Sequence, residues 1–386
     1  MSNADQPVSS LEKPIPGSYE DRLLEARRLK NRGDTDEALE ILDRISGRIQ
    51  RLPVRRRQPG SDLWLNLITA ISMTADIKSD TGNIAAAEAL WQQLEQLDPA
   101  HRSTWRRTRF MRQIGRGEMD EGLRKLQALA EEYPDDINNW LAAVQTALTA
   151  GQYDNAEAWL QQAERLLDED ETGEFNASFH LLRYGLNVKR ERWPEALNDW
   201  YEAMEFDEDL GEYAESALRT LLAAEQYDLA LELLDDEAFV PPLALFYRAW
   251  IAQRRGDTVR ARHLWRQILD VPADEGYSFV QLKARALCWL GRPQEAIAML
   301  LREVELADEL DAIEALGLAL AWGMAGKLVE ARANLATALR LAPPDLPLTA
   351  LEWFEFDTLI TDEEVKAELR GYFDLEGRQS SATETP

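Results

Sequence analysis

The chain has 386 residues, of which 45% are hydrophobic and 29% are charged, and its formal net charge is −27. This composition excludes an intrinsically disordered chain, and the strong negative charge disfavours membranes and nucleic acids as partners. The charge is uneven, because residues 1–125 carry 21 Lys/Arg and 19 Asp/Glu, whereas residues 126–386 carry 22 and 51.

The first segment, residues 1–18, is polar and lacks the basic and then apolar pattern of a secretory signal. We expect a disordered tail and a cytoplasmic protein. No apolar stretch reaches the roughly 18 residues that a membrane helix needs. Cys288 is the single cysteine and has apolar neighbours, so we expect a buried structural thiol and no disulfide within the chain.

From residue 38 onward a small residue recurs, most often at a spacing of 34 or 35. A large apolar residue follows each one four positions later, and in a helix these two positions lie on the same face. The small residues are Ala38, Ala87, Gly122, Ala156, Ala196, Ala230, Ala261, Ala296 and Ala331. The large residues are Leu42, Trp91, Leu126, Leu160, Trp200, Leu234, Trp265, Leu300 and Leu335.

A glycine precedes most of these small residues by about five positions, and a left-handed glycine there would end one helix before the next begins. The pattern therefore predicts a helix, a tight turn and a second helix in each unit. The fifth and sixth units have Glu191 and Glu225 in place of the turn glycine. The turn glycines are Gly33, Gly82, Gly117, Gly151, Gly256, Gly291 and Gly326.

These units resemble the tetratricopeptide repeat. The last one, LGLALAWGMAGKLVEARANLATALRLAPPD, carries Ala319, Gly326, Ala331, Leu335 and Ala338 at the small, turn and apolar positions of that family, and Pro343 at its closing position. The resemblance covers roughly residues 19–345 and about nine partly degenerate units. It implies an all-α, right-handed superhelical solenoid of antiparallel helix pairs, which typically acts as a protein-binding scaffold without cofactors.

Two arginine-rich stretches lie in the first three units. Arg55, Arg56 and Arg57 are expected in an exposed loop between the first two units, and Arg102, Arg106 and Arg109 share one face of a predicted helix. They form a candidate anion patch, although the same arginines could simply pair with neighbouring acids on a solvated surface. An acidic protein partner, an RNA or another copy of the chain would fit such a patch.

A second candidate surface follows the repeat phase along the first helices, which should line the concave groove. Phe246, Trp250 and Arg254 lie one helical turn apart. Aromatic and arginine side chains often carry the energy of binding, so this groove could hold a partner protein or an extended peptide. The groove could also be filled by the chain itself. The candidate partner-binding residues are Asn138, Gln145, Arg219, Phe246, Trp250, Arg254 and Arg285.

The C-terminal segment 346–376 is predicted to form two capping helices, one over 348–356 and one over 362–372. Thr361 and Glu364 have the spacing of a capping box at the start of the second helix. Residues 377–386 are polar and are expected to be a disordered tail.

No catalytic, cofactor or metal motif stands out, and we expect no enzyme activity, cofactor or metal site. Asp168, Asp170 and Gly173 match part of a calcium-binding loop, but its twelfth position is Phe179 where a glutamate is required. The sequence therefore predicts a protein-interaction scaffold. The alternatives are a regulatory protein that contacts nucleic acid through its arginine-rich third and, more remotely, an enzyme with an unfamiliar site; self-association is compatible with the uneven charge.

Overall fold

The structure is a computed structural model that describes residues 17–167, 173–235, 239–272, 279–307, 310–341 and 350–373. Within these ranges all regular structure is helical, as predicted. The predicted tails fall outside the described residues, apart from Gly17 and Ser18, and so do residues 168–172 of the calcium-loop-like segment. The chain divides into two compact units, Met1–Lys189 and Arg190–Pro386.

The first unit contains consecutive helices that pack against each other as pairs and also against the next pair along the chain. Short 3₁₀ turns at Val54–Arg56 and Pro99–His101 connect two of the pairs. The helices are α1 Tyr19–Arg32, α2 Thr35–Gln50, α3 Asp62–Asp80, α4 Ile84–Leu97, α5 Arg102–Gly115, α6 Met119–Glu132, α7 Ile137–Thr149, α8 Tyr153–Leu167 and α9 Asn176–Lys189.

The second unit repeats this arrangement and adds two helices after the last pair. A 3₁₀ turn at Glu208–Tyr213 precedes α11. The helices are α10 Trp193–Phe206, α11 Ala214–Ala223, α12 Tyr227–Leu233, α13 Pro241–Arg254, α14 Thr258–Asp270, α15 Val280–Trp289, α16 Pro293–Ala307, α17 Ala312–Met324, α18 Leu328–Leu341, α19 Ala350–Leu359 and α20 Glu363–Arg370.

Left-handed residues end the first helix of each pair, as the turn glycines predict. The seven glycines have φ between 69° and 90°, and Glu191 and Glu225 adopt the same conformation with φ of 57°. Gln226 N–H donates to Leu221 C=O at 2.9 Å across the Glu225 turn, as Gln152 N–H does to Ala147 C=O at 2.8 Å in a glycine unit. The degenerate units therefore keep the same helix end with a strained residue in it.

The repeated small and large residues are buried in the repeats of both compact units. All eight alanines are at most 1% exposed, and the large residues four positions later are at most 4% exposed. Gly122 is the exception because Ile114 fills the space of its missing side chain: a Cβ on Gly122 would lie 2.3 Å from Ile114 Cγ1. The small position is thus set by how closely the two helices of a pair approach.

The two predicted C-terminal helices are present as α19 and α20, with different bounds. The predicted cap of α20 was wrong, because the side chain of Asp362, not Thr361, accepts hydrogen bonds from the backbone N–H groups of Glu364 and Val365. Leu369 of α20 and Ile360 pack onto Gly323 of α17, where a Cβ would lie 2.6 Å from Ile360 Cδ1. The end of the repeat array is therefore covered by its own last helices.

Candidate functional site

The first helices of three successive pairs in the second unit present a continuous face of aromatic and arginine side chains. Arg219 lies on α11, Phe246 and Trp250 on α13, and Arg285 on α15. We call this face, together with Arg254, the α11/α13/α15 groove. Five of the seven residues that the sequence assigned to partner binding lie in it, and Asn138 and Gln145 lie on α7 in the first unit.

Helix α19 of the same chain occupies this groove. It packs against α11 and α17, and its side chains also contact α13 and α15. The sequence allowed for a groove filled by the chain itself, but it did not indicate that the C-terminal helices would be the segment responsible. Partner binding by these residues therefore stays a prediction, and the groove that they form is filled by α19 in the structure.

Two ion pairs fasten α19 to the groove. Glu352 accepts from Arg219 at 2.6 Å, and Glu355 accepts from Arg285 at 2.7 Å and from Trp289 Nε1 at 2.9 Å. The carboxyl side chains are 8% and 2% exposed, and the arginine side chains are 21% and 15% exposed. These charges are far enough from water that their pairing has to be satisfied within the protein.

The pKa values of three groups in the groove, Arg219, Tyr247 and Arg285, are all raised. Burial alone would lower the pKa of both Arg219 and Arg285, but the nearby Glu352 and Glu355 raise both above the ordinary arginine value. Burial, together with the charge of Glu215, raises the pKa of Tyr247, whose hydroxyl donates a short hydrogen bond to Glu215. All three cationic and phenolic groups are thus held protonated, and none is poised to exchange a proton near neutral pH.

Aromatic contacts fill the space between the ion pairs. Phe354 of α19 lies edge to face on Trp250 at 5.2 Å, and the Arg254 guanidinium lies 4.6 Å from the Phe354 ring centroid. Arg285 in turn lies 4.3 Å from the centre of the Phe246 ring. Such arginine–aromatic contacts stabilise a partly desolvated cation. A small hollow remains beside α19, lined by Leu222, Phe246, Trp250, Glu352 and others of the groove.

Sequence reasoning found the groove side of this site and missed its occupant. Glu352, Phe354 and Glu355 were placed only in a capping helix. One sequence feature could have pointed to this occupant. Two glutamates lie three residues apart in one predicted helix, with aromatic residues at 353 and 354 between them. In a protein with so many carboxylates, that spacing alone selects no particular pair.

The candidate anion patch divides into two parts with different surroundings. On α5, Arg106 pairs with Glu132 at 2.7 Å, Arg109 pairs with Glu95 at 2.7 Å, and Arg102 lies near Glu132. Arg106 and Arg109 are therefore held by carboxylates of neighbouring helices. The patch assignment itself stays a prediction.

The other part of the patch is the 3₁₀ turn between α2 and α3. Arg55 and Arg56 are exposed, and no carboxylate among the described residues pairs with either one. Arg57 is half-buried and donates from Nε to the Leu52 carbonyl at 3.3 Å. Only this turn presents arginines of the patch without an acidic neighbour in the part of the chain that the structure describes.

Other chemistry is sparse in the described ranges. Cys288 is buried at 1% exposure, as predicted, and burial raises the pKa of its thiol to about 12. Within the residues whose placement the structure gives, no three His, Cys, Asp or Glu side chains come together as a metal site would require. None of the helices in these ranges combines the length and the apolar character of a bilayer-spanning segment.

Comparison with known proteins gives similarity in structure only. No family model and no curated protein matches the chain. Among solved structures, a tetratricopeptide repeat protein from Parabacteroides merdae matches with 15% identity and a TM-score of 0.38, over 70% of this chain and 98% of its own. Yeast Tom70 matches with 14% identity and a TM-score of 0.40, over 94% of this chain and 67% of its own.

A third similar structure is that of Naa15/Naa10 bound to HypK-THB, with 14% identity and a TM-score of 0.35, over 79% of this chain and 51% of its own. At such identities and TM-scores, the likeness carries no information about activity or partners. The helix pairs of the present structure, with their left-handed turns and phased buried alanines, nevertheless establish the architecture directly. Over the described residues, the chain is therefore an all-α protein built of successive helix pairs.

Proposed function

We propose that this protein is a non-enzymatic interaction scaffold whose α11/α13/α15 groove binds a segment of a partner protein. The observation that carries this proposal is the way the groove holds α19. A helix from another part of the chain is bound there through two ion pairs and an aromatic contact, so the surface has the chemistry to hold a helix.

The alternatives receive less support from the described residues. A regulatory protein that binds nucleic acid through its arginine-rich third would need exposed arginines, but Arg106 and Arg109 of α5 are paired with carboxylates of α6 and α4. For an enzyme, the groove residues Arg219, Tyr247 and Arg285 are poorly suited to proton transfer near neutral pH, because the pKa of each is raised and each is held protonated. Cytoplasmic location and self-association remain predictions from the sequence.

Site-specific photo-crosslinking tests the proposal. The photoreactive residue p-benzoylphenylalanine is placed at Arg254, beside Phe354 on the groove, and, as a matched control, at Val259 on α14 of the same repeat, which is 82% exposed. We expect the Arg254 probe to crosslink to one defined segment of a partner and, as it does so, to lose its internal crosslink to α19. Equal capture at both positions, or crosslinks at Arg254 only to α19, would contradict a partner-binding groove.

A further inference from the structure

The ion pairs that hold α19 also define what could replace it. Glu352 and Glu355 lie three residues apart and therefore project from the same side of the helix, where they reach Arg219 on α11 and Arg285 on α15. Building on the proposed function, we infer that the partner segment is an α-helix carrying two carboxylates three residues apart beside an aromatic residue, and that it binds by displacing α19.

The two groove arginines restrict the charge of any segment that replaces α19. Without α19, Arg219 and Arg285 would face water beside a surface formed by Leu222, Phe246, Tyr247 and Trp250. Guanidinium groups left beside such side chains without a partner are costly, and a neutral occupant would exclude water without restoring the pairing. Any segment that takes the place of α19 therefore has to supply acceptors for both arginines, and carboxylates match the fork of a guanidinium best.

The spacing of the two carboxylates restricts the conformation of the occupant. In an extended peptide, residues three apart point to opposite faces of the chain and are separated by roughly 10 Å along it. In a helix the same two residues are neighbours on one face, with Cβ atoms about 5–6 Å apart. The pairing of Glu352 and Glu355 with two arginines on the same groove thus favours a helical occupant over the extended peptide that the sequence suggested.

The groove also contacts the aromatic residue next to the carboxylates. Phe354 lies 5.2 Å from Trp250 and 5.8 Å from Trp289, with Arg254 on its ring. An occupant with a small residue in this position would lose these contacts. The combination of two carboxylates and an aromatic side chain is therefore what the groove can distinguish from other acidic helices.

The groove is suited to the exchange of α19 for a partner helix. A buried ion pair adds little stability over apolar packing of the same shape, but it demands a particular partner. The internal α19 competes at an effective concentration that a tether places on the order of millimolar, so a partner has to offer either more contacts or a higher affinity per contact. Weak and unrelated helices would then be kept out.

The test uses the full chain and a synthetic peptide of residues 350–362, stapled as a helix through positions 357 and 361, which are exposed. The host is the Glu352→Gln/Glu355→Gln variant, whose own α19 is weakened while the groove is unchanged. We expect the wild-type peptide to bind this host at least about tenfold more tightly than a peptide with both glutamates replaced by glutamine, and more tightly than it binds the wild-type chain. Adding Arg219→Gln/Arg285→Gln to the host should remove the preference for the acidic peptide.

The outcomes separate this inference from the proposed function. If the glutamine peptide binds the host as tightly as the acidic one, the groove selects by shape and the acidic-helix inference fails, while a partner-binding groove survives. If neither peptide binds but crosslinking at Arg254 still maps a partner, the inference fails alone. If the host loses helicity by circular dichroism, a Phe354→Ala host, which keeps both glutamates, replaces it and the same peptide preference is expected.

Discussion

Arg285 and Glu355 are 70 positions apart in the chain, yet the Arg285 guanidinium lies 2.7 Å from the Glu355 carboxylate, whose side chain is only 2% exposed. Trp289 Nε1 donates to the second oxygen of the same carboxylate at 2.9 Å. Both oxygens of Glu355 are thereby satisfied away from water. This pairing makes α19 part of the repeat array while keeping its attachment dependent on charge.

Breaking this pair on one side should cost more than replacing both partners. Arg285→Met leaves Glu355 buried without a counter-charge, and we expect a loss of about 3–5 kcal/mol in the free energy of unfolding. The double variant Arg285→Met/Glu355→Leu should recover most of that loss, because the charge that lacks a partner is gone. Urea unfolding of the wild type, the two single variants and the double variant measures the coupling.

The exposed pair Arg44 and Glu40, at 2.6 Å on α2, provides a control for this cycle. The variant Arg44→Met should change stability by well under 1 kcal/mol, since both side chains are largely in solvent. Equal losses for Arg44→Met and Arg285→Met would show that the Arg285 pair is no more important than a surface contact.

Cys288 should report when α19 leaves its place. The thiol is buried in the same apolar cluster as Phe356 of α19, and burial raises its pKa to about 12, so the reactive thiolate is scarce near neutral pH. We expect Ellman's reagent at pH 8 to label the wild-type chain only as fast as the cluster opens. Glu355→Gln should accelerate labelling, whereas the exposed change Arg44→Met should not; equal rates in all three proteins would place Cys288 outside the influence of α19.

The repeat phase was predictable from sequence because each unit places a small residue where two helices touch, and that requirement recurs at Ala38, Ala156 and Ala331 alike. The groove side of the site followed from the same phase. Its occupant could not be predicted, because pairing Glu352 with Arg219 depends on where the chain returns after α18, and local pattern carries no such information. The cap at Asp362 was missed for a smaller reason: Thr361 and Asp362 are both good capping residues.

The strained turn before α10 predicts a stabilising substitution. Glu191 adopts φ of 57°, which disfavours any residue with a Cβ, and every glycine in the equivalent turns adopts φ between 69° and 90°. Glu191→Gly should raise the free energy of unfolding by about 1 kcal/mol. Glu191→Ala removes the same charge but keeps the Cβ, so thermal unfolding should place it close to the wild type; a gain as large as that of glycine would point to charge instead of backbone strain.

At Gly122 we expect a substitution to destabilise the chain, even though it introduces alanine, the residue that the other eight repeats have at this position. A Cβ there would overlap Ile114 Cγ1 at 2.3 Å and would lie 3.4 Å from the Phe110 carbonyl oxygen. Gly122→Ala should therefore destabilise the chain by about 1–3 kcal/mol, despite the better helix propensity of alanine. In an Ile114→Ala background the added methyl has space, and the penalty should disappear; a penalty that persists there would place the clash on the backbone.

The two halves of the arginine patch should behave differently toward a polyanion. Arg55 and Arg56 are exposed and no described carboxylate pairs with them, whereas Arg106 and Arg109 are already neutralised by Glu132 and Glu95. Binding of labelled polyglutamate at low ionic strength should weaken in the Arg55→Ser/Arg56→Ser/Arg57→Ser variant. It should change little in Arg106→Gln/Arg109→Gln, which instead should melt at a lower temperature, because those arginines stabilise the packing of α5.

The salt dependence of polyglutamate binding distinguishes a loss of charge contacts from a loss of folded structure in these variants. Screening shortens from about 8 Å at 0.15 M to about 3 Å at 1 M, so any binding through the exposed turn should be lost across this range while helicity stays constant. If polyglutamate binds the triple serine variant as well as it binds the wild type at low salt, the turn is a solubilising surface and no anion patch exists there. If Arg106→Gln/Arg109→Gln alone loses binding, the paired arginines of α5 would have to exchange their internal carboxylates for those of the ligand, which would contradict the assignment to the exposed turn.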